Sequence, residues 1–175
     1  MGREVKIVLD ADVIIHFAKG GLLHILPSIF PEFEFVVLDK VMEEIRKPAL
    51  TQLQNQMAFM NNIREVKFGQ TAEEKREFAR LMSELCLGKG ESACMAYCKF
   101  NHDVVGSSNL KDITDYCRDN QITFLTTIDF LYYGIIRSVI TKEDAEEFIR
   151  KVNSQNSKLP QVDFDKFVCT KIKVT

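Results

Sequence analysis

Val5-Lys-Ile-Val-Leu-Asp10-Ala-Asp12-Val-Ile-Ile-His-Phe17 is the stretch of sequence that decides the fold. Its first five residues are apolar apart from Lys6, which is typical of an interior parallel strand covered on both faces. The apolar residues from Val13 to Phe17 predict a short helix after that strand. In open α/β sheets, ligands bind at the carboxyl ends of strands, so an acid at position 10 is placed to serve a site.

The two acids that follow the predicted strand have different interpretations. Asp12 is explained equally well as the N-cap of the helix, because Asp is a preferred capping residue. Asp10 directly follows a buried strand, where a carboxylate must be paired, solvated or bound to a metal. Asp10 is therefore the stronger candidate for a functional acid.

Length and composition predict one globular domain. The 175 residues are enough for a single hydrophobic core, and 46% hydrophobic and 27% charged residues are ordinary for such a domain. We predict the domain over residues 1–152 and a C-terminal tail, residues 153–175, that packs on it. The net charge of −2 gives no overall positive field, so any nucleic-acid binding must use a local patch.

The N-terminal residues and the cysteines predict a cytoplasmic protein that does not bind membranes. We expect no signal peptide, because the first strand begins at Val5, and no apolar run reaches membrane-spanning length. Five cysteines, an odd number, indicate reduced thiols in such a chain. Cys94, Cys98 and His102 are spaced to line one helical face as zinc ligands, but their small apolar neighbours favour burial of the thiols in a core.

Strands and helices alternate along the chain. Apolar periodicity and turn residues predict the order β-α-α-β-α-α-β-α-α-β-α-β-α-α, in which the third strand is weak. The predicted strands are 5–9, 33–38, 63–68, 103–107 and 122–125. The predicted helices include 22–27, 50–62, 71–86, 110–119, 128–139 and 141–152. A further helix is predicted after Asp39, which can cap it. Such alternation implies right-handed crossovers and a mainly parallel sheet. The predicted fold class is therefore α/β, a single-domain α/β/α sandwich.

Acids and one amide recur where predicted strands end and helices begin. They are Asp10, Glu44, Glu91, Asn109, Asp112 and Asp129. If they converge at one edge of the sheet, the carboxylates repel one another unless a divalent cation neutralises them. Oxygen ligands suit Mg²⁺ or Mn²⁺, which support phosphoryl transfer by activating a water. A structural explanation also exists for Glu91 and Asp129, because acids stabilise the first turns of helices.

These motifs resemble those of PIN-domain nucleases, a superfamily that includes the toxins of bacterial toxin–antitoxin pairs. The resemblance extends from Val5 to about Val152. The family's opening strand ends in an acid, a small residue and an Asn or Asp, as in Leu9-Asp10-Ala11-Asp12. Its second acid resembles Glu44 in Val41-Met-Glu-Glu44-Ile45, and Gly90-Glu91-Ser92-Ala93 resembles a helix start in one branch of the family.

The resemblance implies a metal-dependent endoribonuclease that cleaves RNA with Mg²⁺ or Mn²⁺. It implies that metal ligands come from Asp10, Glu44, Glu91, Asp112 and Asp129, with catalytic roles for all of these except Asp112. An antitoxin-like protein is an implied partner, and a homodimer is a further expectation. The chain departs from the family after the fourth strand, where Asn109 replaces an expected acid and keeps a ligating oxygen without its charge. Asp112 or Asp129 could supply the missing carboxylate. Alternatively, the domain binds RNA or a protein partner without cutting.

Basic residues lie beside the candidate acids in the sequence. Arg46 and Lys47 follow Glu44, and a phosphate backbone that crosses the site would meet such residues. We predict that the substrate contacts Lys47, Lys89, Asn109 and Lys111. A solvated lysine at a helix end is an equally good explanation for each cation. A small-molecule enzyme on an ordinary doubly wound fold has no support, because no Gly-x-Gly-x-x-Gly motif or P-loop follows the first strand.

Overall fold

Five parallel strands form a central sheet in the computed structural model, which describes residues 4–173. The strands are β1 (Lys6–Leu9), β2 (Glu34–Leu38), β3 (Arg64–Val66), β4 (Val104–Gly106) and β5 (Phe124–Leu125). Their order in the sheet is β3-β2-β1-β4-β5, and every neighbouring pair is parallel. The predicted α/β fold with a parallel sheet is confirmed.

Nine helices accompany these strands within the described residues. They are α1 (Ala11–Gly20), α2 (Leu26–Ile29), α3 (Asp39–Met42), α4 (Ala49–Phe59), α5 (Ala72–Glu84), α6 (Lys89–Asn101), α7 (Leu110–Asp119), α8 (Thr127–Ile136) and α9 (Lys142–Asn153). Helix α1 contacts α4, α8 and α9, whereas α6 contacts α3 and α5, as expected for the two outer layers of an α/β/α sandwich. Between residues 4 and 173, no helix has the length and apolar character required to cross a membrane.

Some predicted boundaries were wrong by several residues. The helix predicted at 22–27 begins at Leu26, because Pro27 lies in its first turn, where proline is well tolerated. Helix α3 is a single turn that ends at Met42, so Glu43 and Glu44 lie in the turn after it. Thr71 is the N-cap of α5. Thr71 accepts a hydrogen bond from the Glu74 amide, but the Glu74 carboxylate accepts from the amide of residue 70 instead of the cap.

An aromatic cluster fills the core between the sheet and helices α1, α8 and α9. The rings of Phe17 and Phe148 lie 4.9 Å apart, and those of Phe30 and Tyr133 lie 5.0 Å apart. Phe130 contacts Phe17, Phe30 and the β2 residue Phe35. Full burial of such a side chain contributes roughly 1.5–3 kcal/mol, so this cluster is a principal source of stability.

Helix α6 is enclosed along most of its length. Its residues from Gly90 to Cys98 are all buried, and small side chains such as Ala93 and Ala96 allow close packing. A Cβ atom added to Gly90 would lie 2.5 Å from Glu44 Oε2, so a larger residue at this position would displace the Glu44 carboxylate. Because α6 leads directly into β4 and runs opposite to it, the start of α6 lies at the carboxyl edge of the sheet.

The C-terminal segment, residues 154–173, contains no helix or strand and packs against α8. Leu159 and Phe164 are buried, and the Tyr133 hydroxyl accepts a hydrogen bond from the Ile172 amide at 2.8 Å. Lys171 forms an ion pair with Asp129 at 2.7 Å. These contacts attach the segment to the body near the carboxyl ends of the strands.

Glu77 joins three helices on the other side of the sheet. Its carboxylate accepts hydrogen bonds from Arg80 of α5, Lys99 of α6 and Tyr116 of α7 at 2.8, 3.0 and 2.7 Å. The hydrogen bond from Arg80, followed by those from Tyr116 and Lys99, lowers the pKa of Glu77 to about 2. Because the side chain is only 10% exposed, these interactions are weakly screened by solvent.

We expect Glu77→Gln to lower the free energy of unfolding by roughly 1–3 kcal/mol at neutral pH, because Arg80 and Lys99 lose their anionic partner. The folded pKa of Glu77 is lowered from 4.5, so its contribution is complete above about pH 4.5 and disappears as the pH falls towards 2. Urea denaturation at neutral and acidic pH measures this. The control is Glu73→Gln, at a 57% exposed side chain of the same helix. If Glu77→Gln lowered the free energy of unfolding by the same amount at both pH values, the result would contradict the prediction.

Candidate functional site

The carboxyl edge of the sheet has a crevice where the strand order reverses. The chain passes from β1 outward to β2 and β3, and then returns to the other side of β1 as β4. In open α/β sheets, ligands bind at this kind of switch point. Asp10 follows β1, Ser107 follows β4, and both side chains are buried in the crevice.

Asp10 is the N-cap of α1 and is only 6% exposed. Its Oδ1 accepts a hydrogen bond from the Ala11 amide at 2.8 Å, and its Oδ2 accepts one from the Ser107 hydroxyl at 3.2 Å. Burial raises the pKa of Asp10 well above its usual range, and the charges of Asp12 and Glu91 raise it further. The capping role that the sequence allowed for Asp12 therefore belongs to Asp10, which is also the strand-end acid.

Asp12 lies in the first turn of α1 and connects it to the loop after β4. Its Oδ1 accepts a hydrogen bond from the Val13 amide at 2.6 Å, and its Oδ2 accepts one from the Ser108 amide at 2.8 Å. Burial raises the pKa of Asp12 as well. Sequence reasoning undervalued Asp12, because capping statistics do not reveal that the loop after β4 folds onto it.

Glu91 enters the same crevice from the start of α6. The side chain is 7% exposed, and within residues 4–173 its buried Oε1 atom has no hydrogen-bond partner. Burial is the main cause that raises the pKa of Glu91 to about 7, and the charges of Asp112 and Asp12 add to it. A buried carboxylate oxygen without a donor is a group that a bound cation or a proton would satisfy.

Asn109 connects the acids at the position where the family pattern has an acid. Its amide nitrogen donates a hydrogen bond to Asp112 Oδ2 at 2.8 Å, and its side chain is one of the influences that lower the pKa of Glu91. Asp112 is therefore close to Glu91, as its effect on the pKa of Glu91 also shows. We define the acidic cluster as Asp10, Asp12, Glu91 and Asp112.

Glu44 lies at the rim of the acidic cluster. The Gly90 amide donates a hydrogen bond to Glu44 Oε1 at 2.8 Å, which places Glu44 beside the start of α6. Its neighbour Glu43 is exposed and pairs with Lys89. Both adjacent acids thus contact the start of the helix that carries Glu91, Glu44 through the Gly90 amide and Glu43 through the Lys89 side chain.

Asp129 has structural partners. Its Oδ2 accepts a hydrogen bond from the Thr126 amide at 2.9 Å, which completes a capping box at the start of α8. The same oxygen pairs with Lys171 at 2.7 Å, so its charge is already compensated. The capping explanation applies to Asp129, and its role as a metal ligand stays a prediction.

The predicted substrate cations lie on different parts of the surface. Lys47 is exposed beside the turn after α3, and Lys111 is exposed on α7 next to Asp112. The charge of Lys89 is partly compensated by Glu43. Their contacts with a substrate therefore stay predictions.

The cysteines noted in the sequence belong to the core. Cys94 and Cys98 are buried within α6, and Cys94 Sγ lies 3.9 Å from the Leu9 carbonyl oxygen. His102 is exposed and ends the helix in a left-handed conformation. The burial of the thiols agrees with the small apolar residues that surround them in the sequence.

The donor chemistry of the acidic cluster fits a divalent cation, although a closed metal site is not preformed. Between residues 4 and 173, no group of three or more His, Cys, Asp or Glu side chains is already placed to hold a metal ion. Mg²⁺ usually keeps several waters and takes only one or two carboxylates. The unpartnered Oε1 of Glu91 and its neighbouring carboxylates match that manner of binding.

Comparison with known protein families identifies one match. A family model described as a PIN domain matches residues 6–160, which include every member of the acidic cluster. No protein in the curated comparison matches the sequence.

The stability of the metal-free protein should fall as the pH rises from about 5 to about 8. The pKa of Glu91 is raised from 4.5 to about 7, so the folded chain binds more protons than the unfolded chain in this range. Linkage then lowers the free energy of unfolding with rising pH. Between these pH values, the free energy of unfolding of Glu91→Gln should fall by roughly 2 kcal/mol less than that of wild type.

Urea denaturation in EDTA across that pH range measures the effect. The matched control is Glu143→Gln, which removes an exposed acid from the first turn of α9. Equal pH dependence in wild type and Glu91→Gln would show that Glu91 titrates normally in the folded state.

Proposed function

The chain belongs to the PIN-domain family, and we propose that it is a metal-dependent endoribonuclease that hydrolyses RNA phosphodiesters at the acidic cluster. The observation that carries the proposal is the buried, unpartnered Oε1 of Glu91 among neighbouring carboxylates at the switch point of the sheet. Without a cation, buried carboxylates that lie this close together repel one another. Such unfavourable clusters are common at functional sites and rare elsewhere.

The residues that would hold Mg²⁺ or Mn²⁺ are Asp10, Glu91 and Asp112, with Glu44 at the rim. When bound, the ion activates a water and offsets the negative charge of the scissile phosphate. Asp10 is oriented in advance by hydrogen bonds from Ala11 and Ser107, so little ordering is needed when a ligand arrives. Because its pKa is raised, Glu91 is partly protonated near neutral pH. Metal binding would release these protons, so the affinity for the metal ion should increase as the pH rises.

The RNA substrate is proposed from the family membership and from two lysines that are close in the sequence to members of the acidic cluster. Lys89 lies beside Glu91 in the sequence, and Lys111 lies beside Asp112. A phosphate that approaches the cluster would compete with Glu43 for Lys89. An antitoxin-like partner and a homodimer stay predictions.

A second candidate function is a domain that binds RNA or a protein partner without cleavage. Two observations favour it. Asn109 replaces the acid expected after β4, and Lys171 already compensates the charge of Asp129. Both reduce the negative charge available to a metal ion. The two candidates make different predictions for the variants described next.

We expect wild-type protein to cleave a pool of single-stranded RNAs in Mn²⁺, and Asp10→Asn to cleave at least about 100-fold more slowly, because a metal ligand is lost. Asn is as good an N-cap as Asp, so the fold should persist. In EDTA the variant should be as stable as wild type or more stable by about 1 kcal/mol, because repulsion among the acids is relieved.

Thermal melts provide a second measurement for the same variant. Mn²⁺ should raise the Tm of wild type more than that of Asp10→Asn. The matched control is Asp115→Asn, at an 84% exposed side chain of α7, which should behave like wild type. If Mn²⁺ stabilises Asp10→Asn as much as wild type, Asp10 is not a metal ligand.

Asn109→Asp separates the two candidate functions. The change adds a carboxylate and removes the hydrogen bond to Asp112, so it should lower the Tm in EDTA and increase the stabilisation by Mn²⁺. If the natural protein does not cleave RNA and Asn109→Asp does, the natural protein is the binding domain. If Asp129→Asn abolishes cleavage by the natural protein while the fold is retained, Asp129 supplies the missing carboxylate and the nuclease function is supported.

A further inference from the structure

A cleft of about 770 Å³ opens beside the acidic cluster, between the carboxyl edge of the sheet and the C-terminal segment. We call it the tail cleft. Its walls include Asp12, His16, Asn109, Leu110, Phe167 and Lys171. Asp12 belongs both to the acidic cluster and to the tail cleft, so the cleft borders the cluster. The volume is within the range of cavities that bind ligands of nucleotide size.

One wall of the tail cleft carries a polar network that ends on a neutral histidine. The Ser108 hydroxyl accepts a hydrogen bond from the Thr127 amide at 2.8 Å and donates one to Thr127 Oγ1 at 2.9 Å. The Thr127 hydroxyl is then free to donate to His16 Nδ1, which lies 2.8 Å away. In the tautomer that accepts this hydrogen bond, the proton of His16 lies on Nε2, from which it can be donated to a ligand. Burial, with Lys19 nearby, lowers the pKa of His16 to about 4, so the ring is uncharged at neutral pH.

Apolar side chains at the mouth of the tail cleft remain open to solvent. Leu110 is 50% exposed, and Val168 is 71% exposed. Phe167 is half-buried, and its ring packs edge to face on Tyr132 with centroids 5.5 Å apart. Aromatic and aliphatic surfaces of this kind are those on which proteins stack unpaired bases.

Two lysines lie on the same segment as Phe167 and Val168. Lys158 is exposed at the cleft, and Lys171 lies over the Phe124 ring at 3.9 Å while it pairs with Asp129. The tail cleft therefore combines a surface for a base, a neutral hydrogen-bond donor and lysines for a phosphate. The chemistry is that of a nucleotide. A base can enter such a space only when it is unstacked, which requires a single strand.

We propose that the tail cleft binds one unpaired nucleotide of a single-stranded RNA, next to the phosphate that lies at the acidic cluster. This proposal rests on the proposed function and names the form of RNA that the site accepts. Phe167, Val168 and Lys171 lie beyond residue 160, where the match to the family model ends. The C-terminal segment thus supplies nucleotide contacts that the matched part of the chain does not contain.

The test is an NMR titration of the metal-free full chain with the four ribonucleoside 5′-monophosphates. We expect chemical-shift changes confined to the residues of the tail cleft, with dissociation constants in the millimolar range. Inorganic phosphate and ribose 5-phosphate are titrated in parallel. If they cause the same shifts with the same affinity as the nucleotides, the base is not recognised and the proposal is overturned.

Two variants test the walls of the tail cleft. Val168→Glu places a carboxylate at an exposed position, so it should leave the fold intact and weaken nucleotide binding about 10-fold. Phe167→Ala removes the stacking surface and should weaken binding by a similar factor. The matched control is Phe59→Ala, at an 85% exposed phenylalanine of α4, which should bind nucleotides like wild type.

Unchanged affinity in both cleft variants, or the absence of shifts at the cleft up to about 10 mM nucleotide, overturns the proposal. Failure of the proposed function gives a different result. Mn²⁺-dependent RNA cleavage without nucleotide binding in the tail cleft would overturn this inference alone. Nucleotide binding in the tail cleft by a protein that does not cleave RNA would support the inference and overturn the nuclease function.

Discussion

Repulsion among buried carboxylates is the interaction on which the site depends. Asp10, Asp12, Glu91 and Asp112 enter one crevice, and their hydrogen-bond donors are hydroxyl, amide and backbone N–H groups. Neutral donors orient carboxylates but do not cancel their charge, so the pKa values of the most buried members rise. The most buried carboxylates of the acidic cluster therefore keep their protons to a higher pH than exposed carboxylates do.

The rest of the fold holds the carboxylates in place against this repulsion. The aromatic cluster around Phe130 fixes α1 and α8 on one face of the sheet, and the enclosed helix α6 carries Glu91 on the other. Glu77 contributes by joining α5, α6 and α7 through a fully compensated charge. Glu77 and Glu91 thus show opposite outcomes of burial, because one has cationic partners and the other has acidic neighbours.

The C-terminal segment changes the character of the site. Lys171 compensates the charge of Asp129, and Phe167 and Val168 line the tail cleft. Because of Asn109 and Lys171, the carboxyl edge of the sheet carries an amide and a cation in addition to its carboxylates. The proposed base recognition and the proposed phosphate chemistry use neighbouring spaces that both border Asp12.

Local patterns in the sequence determined the elements of the fold. The bounds of α7 were predicted correctly, and the acid after β1 was identified, because periodicity and strand-end chemistry depend only on residues close in the chain. Strand order, and with it the position of the switch point, was decided by the tertiary structure. So were the contact of Asp12 with the loop after β4, the Gly90–Glu44 hydrogen bond and the Lys171–Asp129 pair. These partners lie more than forty positions apart in the sequence, and no local pattern records which distant segments the folded chain brings together.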